Sequence, residues 1–243
     1  DGPAISVPES SSRYDAKSIE SHRPELRPLD IIQPEGPSFT VEGNIVDWQN
    51  WSFRVSLHPT DGLVLHKVSY DDEGTKRSVI YRASLSEMVV PYGNPSEMFF
   101  WRNAFDAGEY GIGRNTGSLE LGCDCLGEIF YFDALIADDL GFPETIKNAI
   151  CMHEEDFSIL WKHWDINSGL SEVRRSRRLV VSSIATLGNY DYGFYWYFYQ
   201  DGHIEFETKL TGIVQTQLVD SNESEGSYGK LIDDRIVGVN HQH

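Results

Sequence analysis

From Ser38 to Val219 the chain is a succession of short runs in which apolar and polar residues alternate, and this period of two limits the fold more than any other feature. SFTVEGNIVDWQNWSFRVSL, LVLHKVSY, KRSVIYRASLSEMVV, RLVVSSIATLG and HIEFETKLTGIVQTQLV all read as strands. The breaks between runs are rich in Gly, Asn, Asp and Pro: VEGN, HPTDG, DDEGT, PYGNP and YQDGH. VEGNIV and YQDGHI have the composition of hairpin turns. Helix is scarce, with ETIKNAI (144–150) and PSEMFFWRNAF (95–105) as the best short candidates. The expected fold is all-β, a large antiparallel β-sandwich with few short helices.

Residues 1 to about 35 are rich in Ser, Pro and charge and lack periodicity, so they read as a linker or surface arm. VDSNESEGSYGKLIDDR (219–235) reads as an acidic loop. The chain ends on His241-Gln242-His243, from which the domain is expected to continue. A length of 243 residues suits one large domain or two ordinary ones. A net charge of -18 argues against nucleic acid, which needs a basic surface, and is compatible with cationic small molecules. No run of 18 apolar residues exists, so no transmembrane helix is expected. The first residues lack the charged and apolar regions of a signal peptide. Three cysteines, Cys123, Cys125 and Cys151, are too few for a disulfide framework. Cys123 and Cys125 are too close to bridge each other, so one of them with Cys151, or three buried thiols, remain as alternatives.

Three segments combine residue types with chemistry in them. Eight of the ten residues from Tyr190 to Tyr199 are aromatic. A wide strand in a core, with rings on alternate faces, is the plain account of that run. Before it, Thr186-Leu187-Gly188-Asn189-Tyr190-Asp191-Tyr192 sets Asn, Tyr and Asp in succession at the head of a strand. His241 and His243, if on a strand, face one side and offer two imidazoles to one metal ion; a solvent-exposed pair is the alternative. In Trp101-Arg102-Asn103-Ala104-Phe105-Asp106-Ala107-Gly108-Glu109-Tyr110-Gly111, apolar neighbours would raise the pKa of Asp106 towards values useful to a base. An Asp capping a turn before Gly108 is the alternative. The other histidines, His22, His58, His66, His153, His163 and His203, are scattered and read as surface or structural residues.

Together these motifs resemble the copper-containing amine oxidases. Thr186 to Asp191 fits the family pattern Thr-x-x-Asn-Tyr-(Asp/Glu), whose Tyr becomes the quinone cofactor topaquinone; here that is Tyr190. The family's His-x-His follows on a later strand, and His241 lies 51 residues after Tyr190. Phe105 to Gly111 fits F-D-x-G-E-(Y/F)-G, which makes Asp106 the catalytic base. Tyr92, in VVPYGNP, matches the Tyr that hydrogen-bonds the quinone. IIQPEGPSF resembles the entry to the catalytic domain. LELGCDCLGEI and NAICMHEEDFSILWKH resemble the segments carrying the family's disulfide, which implies Cys125 paired with Cys151 and Cys123 free. The likeness runs from about residue 28 to the end and is nearest in wording to bacterial and fungal members.

The resemblance implies an arm over 1–27 and the N-terminal portion of the catalytic β-sandwich over 28–243, with the third copper His beyond it. It implies a primary-amine oxidase that uses dioxygen to convert an amine to an aldehyde, ammonia and hydrogen peroxide. Copper(II) would be held by His241 and His243. Topaquinone would form from Tyr190, with Asn189 and Asp191 holding the backbone around it and Tyr92 orienting the ring. Asp106 would take the substrate's α-proton. The family's tight homodimer implies an arm at about residues 161–175, its tip at Ile166 and Asn167 directed to the partner's channel. Ala104, two residues before the base, implies a roomy entrance. The expected compartment is a bacterial cytoplasm or a peroxisome. The competing readings are a non-catalytic β-sandwich binding module and another mononuclear metalloenzyme, which leaves the Asn-Tyr-Asp segment unexplained.

Overall fold

Alternation along the chain becomes fifteen β-strands in the computed structural model, which describes residues 15, 17–18, 23–24, 26–219, 228–233 and 235–243. Most of the arm expected at the start, and residues 220–227 of the expected acidic loop, lie outside the described residues. Residues 31–90, 103–213 and 243 form a larger unit; residues 91–102 and 214–242, with those up to residue 30, form a smaller one.

The larger unit is built on two five-stranded antiparallel sheets. The first follows chain order: β1 (Phe39–Glu42), β2 (Ile45–Trp48), β3 (Trp51–His58), β4 (Gly62–Asp72) and β5 (Thr75–Ala83). After β6 (Val89–Pro91) and β7 (Asn103–Phe105), which pair with each other, comes the second sheet. It is a meander of β8 (Phe130–Ala137), β9 (Pro143–Trp164), β10 (Ser171–Leu187), β11 (Tyr190–Tyr199) and β12 (Ile204–Gly212). Both hairpins expected from composition form: Glu42 faces Ile45 across Gly43-Asn44, and Phe198 faces Ile204 across the QDG turn.

One buried cluster joins the two sheets. Val46, Trp48, Trp51, Phe53, Val55, Leu63, Leu65 and Val68 of the first meet Phe132, Ile150, Met152, Leu179, Val181 and Phe198 of the second. Phe53 stacks on Phe198 at 4.4 Å between ring centres, and Trp51 meets the same ring edge-on at 5.3 Å. Burying each such side chain contributes about 1.5–3 kcal/mol. Several polar atoms at this layer are matched. Trp51 Nε1 donates to Tyr199 O at 2.8 Å and Tyr70 Oη donates to Gln200 O at 3.0 Å. Glu154, almost fully buried, accepts from Trp48 Nε1 (2.9 Å), the Ser38 backbone N–H (2.7 Å) and Gln33 Nε2 (2.7 Å). That carboxylate ties the segment entering β1 to both sheets.

Neither helix expected from the sequence forms. ETIKNAI belongs to β9, where Asn148 at φ 50° and a register shift against β8 interrupt the alternation. The bulge gave Ile146, Ala149 and Ile150 a helix-like spacing. PSEMFFWRNAF makes a single turn, with Phe99 N and Phe100 N both donating to Ser96 O, and then enters β7. In the smaller unit, β13 (Thr216–Leu218), β15 (Ile236–Val239) and β14 (Gly229–Asp233) form a three-stranded sheet in that order. Strand β14 replaces part of the expected acidic loop, because Gly229, Lys230 and Leu231 pair with β15 despite their polar surroundings in sequence. No helix among the described residues is long and apolar enough to cross a membrane.

Burial pushes the Glu154 pKa up, but hydrogen bonds from Ser38, Trp48 and Gln33 and the Arg177 charge outweigh it and hold the group below the usual range. Glu155 is brought down to about 2, first by its hydrogen bond with His153 and then, against desolvation, by Arg178. Both folded values lie below the ordinary 4.5, so this stabilisation is complete above 4.5 and is lost as pH falls towards 2. Glu154→Ala strands buried donors and is expected to cost about 3 kcal/mol in urea unfolding. Glu154→Gln is expected to flatten its share of the acid loss. A stability indifferent to pH between about 5 and 3 would contradict both assignments.

Candidate active site

The head of β11 is set by a two-residue turn. Leu187 faces Tyr190 across Gly188-Asn189, and Gly188 sits at φ 63°, the left-handed region that the first position of such a turn needs. Tyr190 is therefore the first residue of the strand, as the sequence implied. Asp191 is engaged by Thr186 Oγ1 at 2.6 Å, and Asn189 O accepts from Ile213 N at 2.7 Å. Strand β12 passes so close that a Cβ on Gly212, at φ 96°, would lie 2.6 Å from Asn189 O and 2.7 Å from Asp191 N.

Period two then sorts the rings of β11. Tyr190, Tyr192 and Phe194 pack with Ala107, Ile112, Ala185 and Leu187; Trp196 and Phe198, on the same face, join the intersheet core. Tyr195, Tyr197 and Tyr199 form a cluster on the other face with Val180. Most of the run is packing, and the chemistry concerns its first residues.

Asp106 opens a five-residue π-turn, Asp106–Tyr110, directly after β7. Its backbone N–H donates to Met88 O at 2.9 Å. The Glu87 carboxylate holds the turn by accepting from Ala107 N (2.9 Å) and Gly108 N (3.0 Å). Asn115 Nδ2 donates to Tyr110 O and Gly111 O, while Asn115 O accepts from Thr186 N, so the turn is tied to the end of β10 beside Tyr190. Only 4% of Asp106 is exposed. Burial pushes its pKa up, the Tyr192 hydrogen bond pulls it back in part, and the charges of Glu87 and Glu109 add to the rise. Its Oδ2 is buried without a hydrogen-bond partner among the described residues. Ala104 lies half-buried on β7.

His243 belongs to this cluster. Its Nδ1 is 3.0 Å from Tyr192 Oη, and its ring meets Tyr190 edge-on at 5.0 Å between centres. In the smaller unit, His241 follows β15 rather than lying within it, and bridges Tyr92 as an isolated antiparallel pair. The Tyr92 and His241 rings stack at 5.1 Å, and Arg102 lies 4.8 Å over Tyr92. His241 Nδ1 is 2.7 Å from Val239 O. A carbonyl only accepts, so Nδ1 carries the proton and Nε2 the lone pair a metal needs. No group of three or more His, Cys, Asp or Glu positioned for a metal occurs among the described residues.

The remaining assignments also find places. Cys125 and Cys151 form a disulfide, and Cys123 is free and exposed. Residues 161–175 form the end of the β9–β10 hairpin around the turn at Asp165–Gly169. Trp164, Ile166 and Leu170 there are 59%, 75% and 70% exposed.

The family model described as "Copper amine oxidase, enzyme domain" matches residues 40–243. The chain belongs to the copper amine oxidase family. The histamine oxidase of Arthrobacter globiformis is 53% identical over 244 aligned residues, taking in all of this chain and 35% of the relative. The peroxisomal primary amine oxidase of Pichia angusta is 44% identical, over 93% of this chain and 33% of the relative. A crystal structure of a copper-containing benzylamine oxidase from Hansenula polymorpha matches with a TM-score of 0.87 at 37% identity, over 94% of this chain and 35% of that one. The chain thus spans about a third of the length of these copper amine oxidases.

Two residues in this part of the copper amine oxidase chain escaped the sequence reading. Glu87 gives no signal in SLSEMVV, because its role depends on backbone amides twenty residues away. Tyr192 did carry a signal: it lies two residues after Tyr190 and so on the same face. Gly212→Ala is expected to cost about 2 kcal/mol through its positive φ and its contact with the Asn189–Asp191 backbone. An unchanged urea midpoint would show that β12 does not constrain the turn.

Proposed function

We propose that residues 28–243 are the first portion of the catalytic domain of a primary-amine oxidase, with residues 1–27 leading into it. The reaction is R–CH2–NH2 + O2 + H2O → R–CHO + NH3 + H2O2. The observation that carries this reading is a buried carboxyl with a raised pKa and an unpartnered oxygen, Asp106, clustered through Tyr192 with Tyr190 and His243. Burial and a nearby charge that shift a pKa in a cluster of this kind are what a base needs.

The residues present fit the implied cofactors. His241 offers Nε2, and a third ligand would come from outside these 243 residues. A quinone made from Tyr190 would supply the carbonyl and two-electron acceptor that ordinary side chains lack, and copper(II) its oxygen chemistry. The other roles fall to the chain itself. Asp106 takes the proton of the substrate's α-carbon. The carboxylates of Glu87 and Glu109, on a chain of net charge -18, favour approach of a cationic amine. The Thr186–Asp191 bond and the Asn189–Ile213 bond hold the backbone on either side of Tyr190. Tyr92 orients the ring.

The reading includes a homodimer, in which the exposed apolar side chains of Trp164, Ile166 and Leu170 are covered by the partner. Sedimentation of the full protein as a monomer at micromolar concentration would remove that part. The base assignment is tested with Asp106→Asn in the full protein. We expect kcat/KM to fall by about 10²–10⁴ with quinone content retained. In the wild type, kcat/KM falls as pH drops through a value above the usual carboxylate range, since Asp106 acts only when ionised and its pKa is raised. A variant within about tenfold of wild type would exclude Asp106 as the base.

A further inference from the structure

Strands β3, β4 and β5 line a groove of about 570 Å³, a size that holds small ligands. Phe53, Val55, Leu65 and Val68 belong to the core, so period two sends Ser52, Arg54 and Ser69 to the opposite face of the sheet. Register sets Ser52 against Ser69 and Ser69 against Ser78, and a row of three small hydroxyl residues crosses the strands. Arg54, Lys67 and Lys76 stand around that row, with Ile45 and the 80% exposed ring of Tyr81 as apolar surface. Lys67 is placed there by an irregularity. The ladder passes from Ser52–Ser69 to Arg54–His66, so Lys67 and Val68 stand opposite Phe53 alone, and Lys67 adopts φ 51°. A left-handed conformation is strained for lysine, and such strain collects at functional sites.

The three cations also differ from the rest in their pairing. Every other Lys and Arg on the ten strands of the two sheets, Lys162 excepted, pairs with a carboxylate. Arg54, Lys67 and Lys76 pair with none among the described residues, in a chain of net charge -18. Asp71 faces Lys76 across the ladder, but its carboxylate accepts from Gly74 N at 2.7 Å and closes the β4–β5 turn instead. Asp47 faces Ser52 from β2 and pairs with no cation among the described residues. Burial and then the charges of Arg82 and Arg54 push the pKa of His66, opposite Arg54, down, as an electropositive face requires. We propose that this groove binds a small organic phosphate. Arg54 offers a planar fork to two phosphate oxygens, and Lys67 and Lys76 add point charges. The Ser52 and Ser78 hydroxyls, which have no protein partner among the described residues, donate to the same group, while Ser69 Oγ is engaged with Ser52 O at 3.1 Å. Three cations suit the double charge of a phosphate ester better than the single charge of a carboxylate, and Tyr81 and Ile45 cover the organic part. The site lies wholly on the first sheet and is independent of the amine-oxidase reading.

The test uses phenyl phosphate as the probe and the full protein. Calorimetry is expected to show saturable binding with a Kd of about 1 mM or below, weakening as salt is added. The double variant Arg54→Gln/Lys76→Gln is expected to weaken it by about tenfold or more. Lys147→Gln, which removes a charge from the second sheet, is expected to leave it unchanged. Acetylation by acetic anhydride, read by peptide mass analysis, locates the site: Lys67 and Lys76 are expected to react in the free protein and to be protected by phenyl phosphate, with Lys147 unprotected. Three results would each overturn the proposal. One is the absence of saturable binding up to about 10 mM. Another is binding that survives the double variant at wild-type strength. The third is a Lys67 and Lys76 that resist acetylation without the probe, which would show that the remainder of the protein covers this face.

Discussion

The register of β11 decides what every other element near the site can do. Side chains alternate on a strand, so a slip of one residue would send Tyr190, Tyr192, Phe194, Trp196 and Phe198 to the face now held by Tyr195, Tyr197 and Tyr199. Two constraints prevent it. At one end, the two-residue turn at Gly188-Asn189 fixes Leu187 opposite Tyr190. At the other, Phe198 is locked between Phe53 and Trp51 in the core between the sheets. The same face therefore runs from hydrophobic core to candidate chemistry without a break, and the core positions the site.

Three carboxyls withdrawn from solvent meet two different fates in this fold. Asp106, Glu154 and Glu155 are all removed from solvent to some degree, yet their fates differ. Glu154 and Glu155 are supplied with donors and cations, and they stay ionised. Asp106 is pushed up first by burial, which Tyr192 offsets only in part, and the charges of Glu87 and Glu109 add to the rise. The first arrangement serves stability; the second spends stability on a carboxyl held above its usual pKa range. Glu154 and Glu155 lie on β9 and Asp106 in the turn after β7, and they differ in their donors and in the charges around them.

How much of this could be read from the sequence depended on whether the signal was local. Strand alternation, the VEGNIV and YQDGHI turns and the head of β11 are local patterns, and the structure contains them as expected. The Asn148 irregularity also is local, but it sets four residues of β9 against two of β8 and gives ETIKNAI a helix-like spacing. Strand β14 was hidden because its partner β15 supplies the ordering, not its own composition. Tyr190, Asp106 and His243 were named from motifs, yet the reason they meet is not in any motif. It lies in contacts of long separation, such as Asn115 with Thr186 and Glu87 with the Asp106 turn. Tyr192 was visible as one ring among many, and its contact with His243 sets it apart.

The central claim is that Tyr190 is the residue converted to a quinone in a site whose base is Asp106. The direct measurement is phenylhydrazine treatment of the copper-loaded, air-exposed full protein, followed by absorbance and peptide mass analysis. The account predicts a visible adduct band, with the added mass on the peptide that carries Tyr190. A copper-bound, oxygen-exposed protein with no band and an unmodified Tyr190 would contradict it, and the chain would then stand as a β-sandwich binding module that keeps the fold without the reaction.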